Sequence, residues 1–306
     1  MSLVAILISL ALEKLLPMMD GWRHYSWFEH YSRALRSRLG KHPHWHGIPT
    51  LLLILLLPVI GVAVAQALLT DILGFLGFVF AVVVLTYCLG PKDPHRLLHK
   101  YLDAAYSGDT DIADKTLAEL LQGDVPEGKA ERATALVNQI LVQTHERLLG
   151  VLFWFIILGP MGAVLYRLTQ EQRQCDAQTA PQQEEETADN GDAAFSAAIA
   201  RLHFLLAWIP SHLAALSYAV MGSFVHALRA WHEEEPTTPE EAEEAGASAM
   251  PASHRMLLRI GYGSLQFDSN PPRSNSAVRE TLGLCGRSLI AWITILALLT
   301  LAGWTS

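Results

Sequence analysis

The sequence predicts an all-α polytopic membrane protein, with about six transmembrane helices and a small cytoplasmic helical lobe. Three observations lead there. Just over half of the 306 residues are hydrophobic, and they are gathered into uncharged runs rather than spread at helix or strand period. Several runs are long enough, at about 1.5 Å per residue, to approach the roughly 30 Å of a hydrocarbon core. Lysine and arginine are unevenly shared among the segments between the runs, as loops on two sides of a bilayer require.

The first element, Met1 to Leu12, is apolar and meets Glu13 and Lys14. No basic residue precedes it and no small-x-small site follows, so it reads as a retained helix. Ile48–Leu69, with Pro58 and Gly61 inside, and Ile72–Leu89 are two spans linked only by Thr70 and Asp71, hence an antiparallel hairpin. A fourth span is expected at Leu148–Leu165, a fifth at Leu202–Phe224 and a sixth at Leu289–Trp304.

Residues 17–47 carry five Lys or Arg, 91–147 carry seven, 168–200 only Arg173 beside seven acids, and 226–287 six arginines. Positive charge marks the cytoplasmic side, so 17–47, 91–147 and 226–287 are expected inside and 168–200 outside, in a bacterial inner membrane. The chain then divides into 1–90 (N-terminal helix, loop and hairpin), 91–147 (cytoplasmic helical lobe), 148–225 (a transmembrane pair joined by the periplasmic linker 168–200), 226–287 (a cytoplasmic segment) and 288–306 (the last span). Within the lobe, Asp93–Tyr106 and Asp109–Leu121 read as helices broken at Ser107-Gly108-Asp109-Thr110, and a third places Leu136, Val137, Ile140 and Leu141 on one face. The stretch 233–248 holds seven glutamates and no large apolar residue, so it cannot bury enough surface to offset its ordering entropy.

Composition excludes some functions. A net charge of −8 without a concentrated basic face gives no case for nucleic acid. Cys88, Cys175 and Cys285 are far apart, so neither a disulfide framework nor a cysteine zinc site is indicated. No Walker loop, dinucleotide fingerprint, nucleophile elbow or H-E-x-x-H occurs, and no cofactor is named by the residues.

The candidate chemistry lies in polar residues at the spans. His42, His44 and His46 alternate in KHPHWHG and are weak metal candidates, while Trp45 before a span also fits an interfacial anchor. Arg201, His203 and His212 sit at or inside the fifth span, where they either bond across the bundle or line a ligand pocket. Pro210 frees a backbone carbonyl there. Glu13, Asp93 and Glu146 are carboxylates near span ends, able to pair with Arg96 or Arg147 or to bind a cation.

The block Val151–Arg167, VLFWFIILGPMGAVLYR, resembles the P-L-F-W…G-G-P-x-G-A-x-x-Y-R segment of the membrane-bound cobinamide-phosphate synthases, which join an aminopropanol phosphate to a corrinoid carboxylate with ATP. The segment from His24 is similar to their H-P-V-x-x-I-G, and RLHFLLAWIPSHLAAL to their R-L-D-D-L-A-N-Y-I-P-A-R-L. Against A-E-N-T-x-D-G, however, this chain has Val142 for the Glu, Gln143 for the Asn and Glu146 for the Asp. His203 and Phe204 replace paired aspartates, Ala207 an Asn and His212 an Arg. Magnesium-dependent ATP chemistry needs hard oxygen ligands, and most are missing.

The pattern is closer to the AmpE family of inner-membrane relatives of these synthases, through LEKLL at Leu12–Leu16, the LFW at 152–154 and WIPSHLA at 208–214. That resemblance implies a non-catalytic accessory or regulatory role in cell-wall stress and β-lactamase induction, through a cell-wall-derived small molecule or a protein partner, in contact with membrane lipids. Together the span positions and the resemblance leave Glu13, His24, Glu146, Trp154, Gly159, Pro160, Gly162, Arg201, His203 and His212 as ligand-pocket candidates, with Gly159, Pro160 and Gly162 also fitting as packing and bend features of the fold. A membrane enzyme with altered synthase-like chemistry is the alternative, and a transporter the third; broken helices favour a transporter, but no inverted repeat supports it.

Overall fold

The computed structural model describes residues 2–15, 25–39, 47–90, 94–121, 125–183, 190–232, 250–267 and 271–302. Expectations for His24, for His42, His44 and His46, and for the acidic stretch 233–248 fall outside these. Among the described residues the chain is all helical: α1 (Ser2–Leu15), α2 (Ser26–Leu39), α3 (Ile48–Ile72), α4 (Gly74–Cys88), α5 (Pro94–Ser107), α6 (Thr110–Leu121), α7 (Lys129–Gln143), one π-helical stretch (Thr144–Leu149), α8 (Gly150–Leu158), α9 (Pro160–Gln183), α10 (Asn190–Met221), α11 (Phe224–His232), α12 (Ala252–Leu265) and α13 (Asn275–Leu301).

Among the described residues four helical stretches are long and apolar enough to cross a membrane: 48–72, 129–158, 193–221 and 275–301, with shorter apolar helices at Leu3–Glu13 and Gly74–Cys88. Helix α3 is apolar all round. It buries Leu51, Ile54, Leu55 and Val59 while exposing Leu52, Leu56, Leu57, Ile60, Val64 and Leu68. A helix hydrophobic on every side belongs in lipid, since so much exposed apolar surface is not sustained in water. The protein is therefore an all-α membrane protein in contact with lipid.

Two compact units are present. The first comprises residues 1–91, 146–208 and 299–306. In it α3 and α4 form a hairpin that turns at Leu73, whose backbone is extended, two residues beyond the expected Thr70-Asp71 link. Thr70 stays helical, its hydroxyl donating to the Gln66 carbonyl. Helix α1 packs on α4, where the Ser9 hydroxyl donates to the Val82 carbonyl.

The segment expected as one span, Leu148–Leu165, is instead two helices that turn back at Gly159. Gly159 has φ 66° and ψ −153°, a conformation open only to glycine, and Pro160 starts α9 with the fixed φ that a first helical residue needs. The legs then run antiparallel. A Cβ on Gly162 would lie 2.4 Å from the Trp154 carbonyl oxygen, and one on Gly150 would lie 2.5 Å from the Tyr166 hydroxyl. Gln170 is thereby brought beside Glu146. The single-span expectation failed because an uncharged run has the same composition whether it crosses once or doubles back.

The second unit comprises residues 92–145 and 209–298. Helices α5 and α6 pack as a pair across Gly108, and the Asp109 carboxylate accepts the Ile112 N–H to cap α6. Arg132 of α7 donates to Asp114 of α6 at 2.6 Å. The α7 face of Leu136, Val137, Ile140 and Leu141 is buried, with Gly261 of α12 against the Leu141 side chain and the Tyr262 hydroxyl donating to Asn138.

Candidate functional site

The first unit holds a buried cluster of charged side chains beside its apolar helices. It is organised by the π-helical stretch, THERLL, between α7 and α8. One residue too many for the α-helical ladder shifts the phase of the side chains, and such bulges occur frequently at functional sites. Here the shift lets consecutive residues serve different neighbours, Glu146 turning to α9 and Arg147 to α1 and α4.

Glu146 is almost wholly buried. Its Oε1 accepts from Arg173 Nη2 at 2.6 Å and its Oε2 from Gln170 Nε2 at 2.8 Å, while His203 Nε2 of α10 lies 3.8 Å from Oε1. Gln170 also accepts from Arg167 Nη1 at 3.2 Å, and Arg167 pairs with Glu171 at 2.6 Å. Arg147 pairs with Glu13 of α1 at 3.0 Å and donates to the carbonyls of Leu89 and Gly90 at the end of α4, where helix carbonyls carry partial negative charge. Three glutamates thus face three arginines. Buried charge is tolerated only when paired in this way.

Gly90 is the meeting point. Its φ is 93°, and a Cβ there would stand 2.9 Å from Arg167 Nη2 and 3.7 Å from Arg147 Nε. The ring of Tyr25 lies 5.1 Å from the Arg167 guanidinium carbon, and its hydroxyl donates to the Tyr87 carbonyl. Burial outweighs the pull of Arg167 and raises the pKa of both Tyr25 and Glu171. Tyr166 stacks on His203 at 6.5 Å, and its buried hydroxyl has no hydrogen-bond partner among the described residues. It adds a donor to the site beyond those already paired.

The expected pocket residues separate into groups. Glu13, Glu146 and His203 come together in the cluster. Trp154, Gly159, Pro160 and Gly162 build the hairpin that frames it. Trp154 donates its indole N–H at 2.9 Å to the Leu206 carbonyl, the acceptor that Pro210, lacking an N–H, leaves open four residues on. Arg201 is exposed, and no described hydrogen bond or ion pair joins it to the cluster. His212 belongs to the second unit, edge-on to Trp231 at 6.1 Å. Among the described residues no three His, Cys, Asp or Glu side chains form a group that could hold a metal.

Sequence reasoning missed Gly90, Tyr166, Arg167, Gln170, Glu171 and Arg173, and took Arg147 only as a possible pair. The signal was available. Arg167, Gln170 and Glu171 fall at i, i+3 and i+4 on one helix face, and so do Gln170 and Arg173. It was obscured because a single crossing from 148 to 165 would place Glu146 and Gln170 on opposite sides of the bilayer.

A family description, "Regulatory signalling modulator protein AmpE", matches residues 1–238. A "Cobalamin biosynthesis protein CobD" of Chromobacterium violaceum is 26% identical over 204 residues, covering 65% of this chain and 62% of its own length. Another, of Stutzerimonas stutzeri, is 28% identical over 169 residues, covering 55% and 53% respectively. The chain thus spans less than two thirds of either relative. No solved structure matches it significantly. With a family match covering more than three quarters of its length, the chain belongs to the family of AmpE, regulatory signalling modulator proteins.

Proposed function

We propose that this protein is a non-catalytic regulatory component of the bacterial inner membrane, acting in cell-wall stress and β-lactamase induction through a ligand or protein segment that engages the charged cluster. The observation that carries this reading is the state of Glu146. It is the carboxylate retained where the resembling synthases have an acid, and here Arg173, Gln170 and His203 surround it. A carboxylate neutralised by an arginine at 2.6 Å is a poor ligand for Mg²⁺, which ordinarily takes one or two carboxylates together with substrate phosphates. Holding three such pairs in place of a smooth apolar core gives up stability, and ionisable groups buried beside membrane-spanning helices are functional-site candidates. The Tyr166 hydroxyl supports a ligand that carries hydrogen-bond acceptors.

The similarity to the two CobD proteins favours a second reading, a membrane enzyme with altered synthase-like chemistry. The purified protein, assayed for ATP hydrolysis with Mg²⁺ and introduced into a strain lacking cobinamide-phosphate synthase, separates the two. No turnover and no rescue is the expected result, together with an altered β-lactamase induction when Arg147→Met is introduced. Rescue that is abolished by Glu146→Gln would move the protein into the enzyme class.

A further inference from the structure

We infer that α8–α9 is a re-entrant hairpin, so that the polar half of α9 lies on the same membrane side as α2, and that the charged cluster is addressed from the cytoplasm. The geometry within the first unit requires the shared side. Glu146, at the start of the hairpin, and Gln170, at its return, are hydrogen bonded at 2.8 Å. From Glu146 to the turn at Gly159 the descending leg has thirteen residues, about 20 Å of helix, short of a core of roughly 30 Å. Farther along α9, buried Gln172 accepts the Ser32 hydroxyl of α2 at 2.6 Å. The next helix begins on that side too. The Arg36 guanidinium of α2 lies 4.2 Å from the Phe195 ring, and Gly47 packs against the Ala194 carbonyl.

A hydrogen bond cannot join residues on opposite faces of a bilayer. The expected arrangement, 17–47 inside and 168–200 outside, is incompatible with Ser32 on Gln172. Within this unit residues 17–47 carry five Lys and Arg, whereas the turn at the other end of the α3–α4 hairpin, Thr70 to Gly74, carries none, and this bias assigns the shared side to the cytoplasm. The low basic count of 168–200 misled because it was taken over a segment whose first half packs on a basic helix instead of forming a separate loop.

For the site the consequence is directional. Arg173, the most exposed side chain of the Glu146 pairings, projects from the polar half of α9. On the regulatory reading proposed above, the ligand or partner is a cytoplasmic molecule bearing hydrogen-bond acceptors, and a periplasmic one has no access.

The test is labelling of the full-length protein in cells with a membrane-impermeant maleimide. Cys175→Ser removes the partly exposed thiol, whereas Cys88 and Cys285 are buried and stay. In that background, Ala177→Cys on α9 and Ser37→Cys on α2 are compared, with Asp176→Cys and Arg38→Cys as a second pair should either of the first fail to accumulate. Both members of a pair should escape label in intact cells and take it in inverted vesicles. Labelling of α9 but not α2 in intact cells would overturn the hairpin, and labelling of both there would overturn the cytoplasmic assignment. Neither result depends on a ligand, so the regulatory reading stands or falls separately by the ATP and rescue assays.

Discussion

Replacing Glu146 by glutamine changes one oxygen for an NH₂ group and almost no volume. At a wet helix end that substitution would be mild. Glu146 is instead almost fully buried, with both oxygens accepting from Arg173 and Gln170. An amide keeps one acceptor and turns a donor toward a donor, leaving Arg173 without its counter-charge. Breaking a buried ion pair from one side costs about 3–5 kcal/mol. The Arg173 side chain retains 24% exposure, so water recovers part of its solvation and the lower end, about 3 kcal/mol, is expected. At roughly 2–4 °C per kcal/mol for a chain of this size class, Glu146→Gln should lower the melting temperature in detergent by about 6–12 °C. The companion experiment is a double-mutant cycle with Arg173→Met. Once the partner is gone the glutamate is the uncompensated charge, so the double variant should be less destabilised than the sum of the singles. A fall of under about 1 °C for Glu146→Gln, with additive singles, would refute the cluster as a coupled unit.

Gly90→Ala introduces a Cβ at φ 93° within 2.9 Å of the Arg167 guanidinium, and should cost about 2 kcal/mol or more, read as the same thermal shift. Gly159→Ala meets no atom within 4 Å but must hold a backbone that only glycine adopts, so a loss of about 1–3 kcal/mol is expected there from conformation alone. Glu171 titrates above the ordinary carboxylate value because it is buried. Its protonated form is favoured by folding, so the stability linked to it is fully present below pH 4.5 and is lost as pH rises through the raised value. Melting curves taken across that window should decline with pH for the parent and flatten for Glu171→Gln. A steeper decline in the variant would contradict the assignment.

The class of fold was readable because the hydrophobic effect writes itself into composition. Ile48–Leu69 and Leu202–Phe224 are dominated by apolar side chains, and α3 covers the first while α10 covers the second as far as Met221. The lobe was readable for a different reason: Asp109 after Gly108 is local chemistry, a stop and a cap within two residues. Glu13, Glu146 and His203 were identifiable as charged or polar groups in costly surroundings. Their partners on α9 were not, because the direction of a helix after a glycine is set by tertiary packing. Gly159 and Pro160 announce a break, but only the approach of Gly162 to Trp154 and of Gly150 to Tyr166 fixes the return path. Gly90 carries no sequence signal at all, since its requirement arises from two guanidinium groups, Arg147 and Arg167, one at each end of the hairpin.

Those two guanidinium groups make the end of α4 behave as a keystone. Arg147 ties it to α1 through Glu13, and Arg167 ties it onward to Glu146 through Gln170, while His203 brings in α10. Five helices therefore share one connected circuit of charged and polar groups, and sliding one of them by a helical turn would open at least one of its contacts. Gradual movement is then costly along most of its path. A circuit of this sort rests in one arrangement or exchanges it whole for another, which is the mechanical property that a membrane signal needs if it is to be read as present or absent.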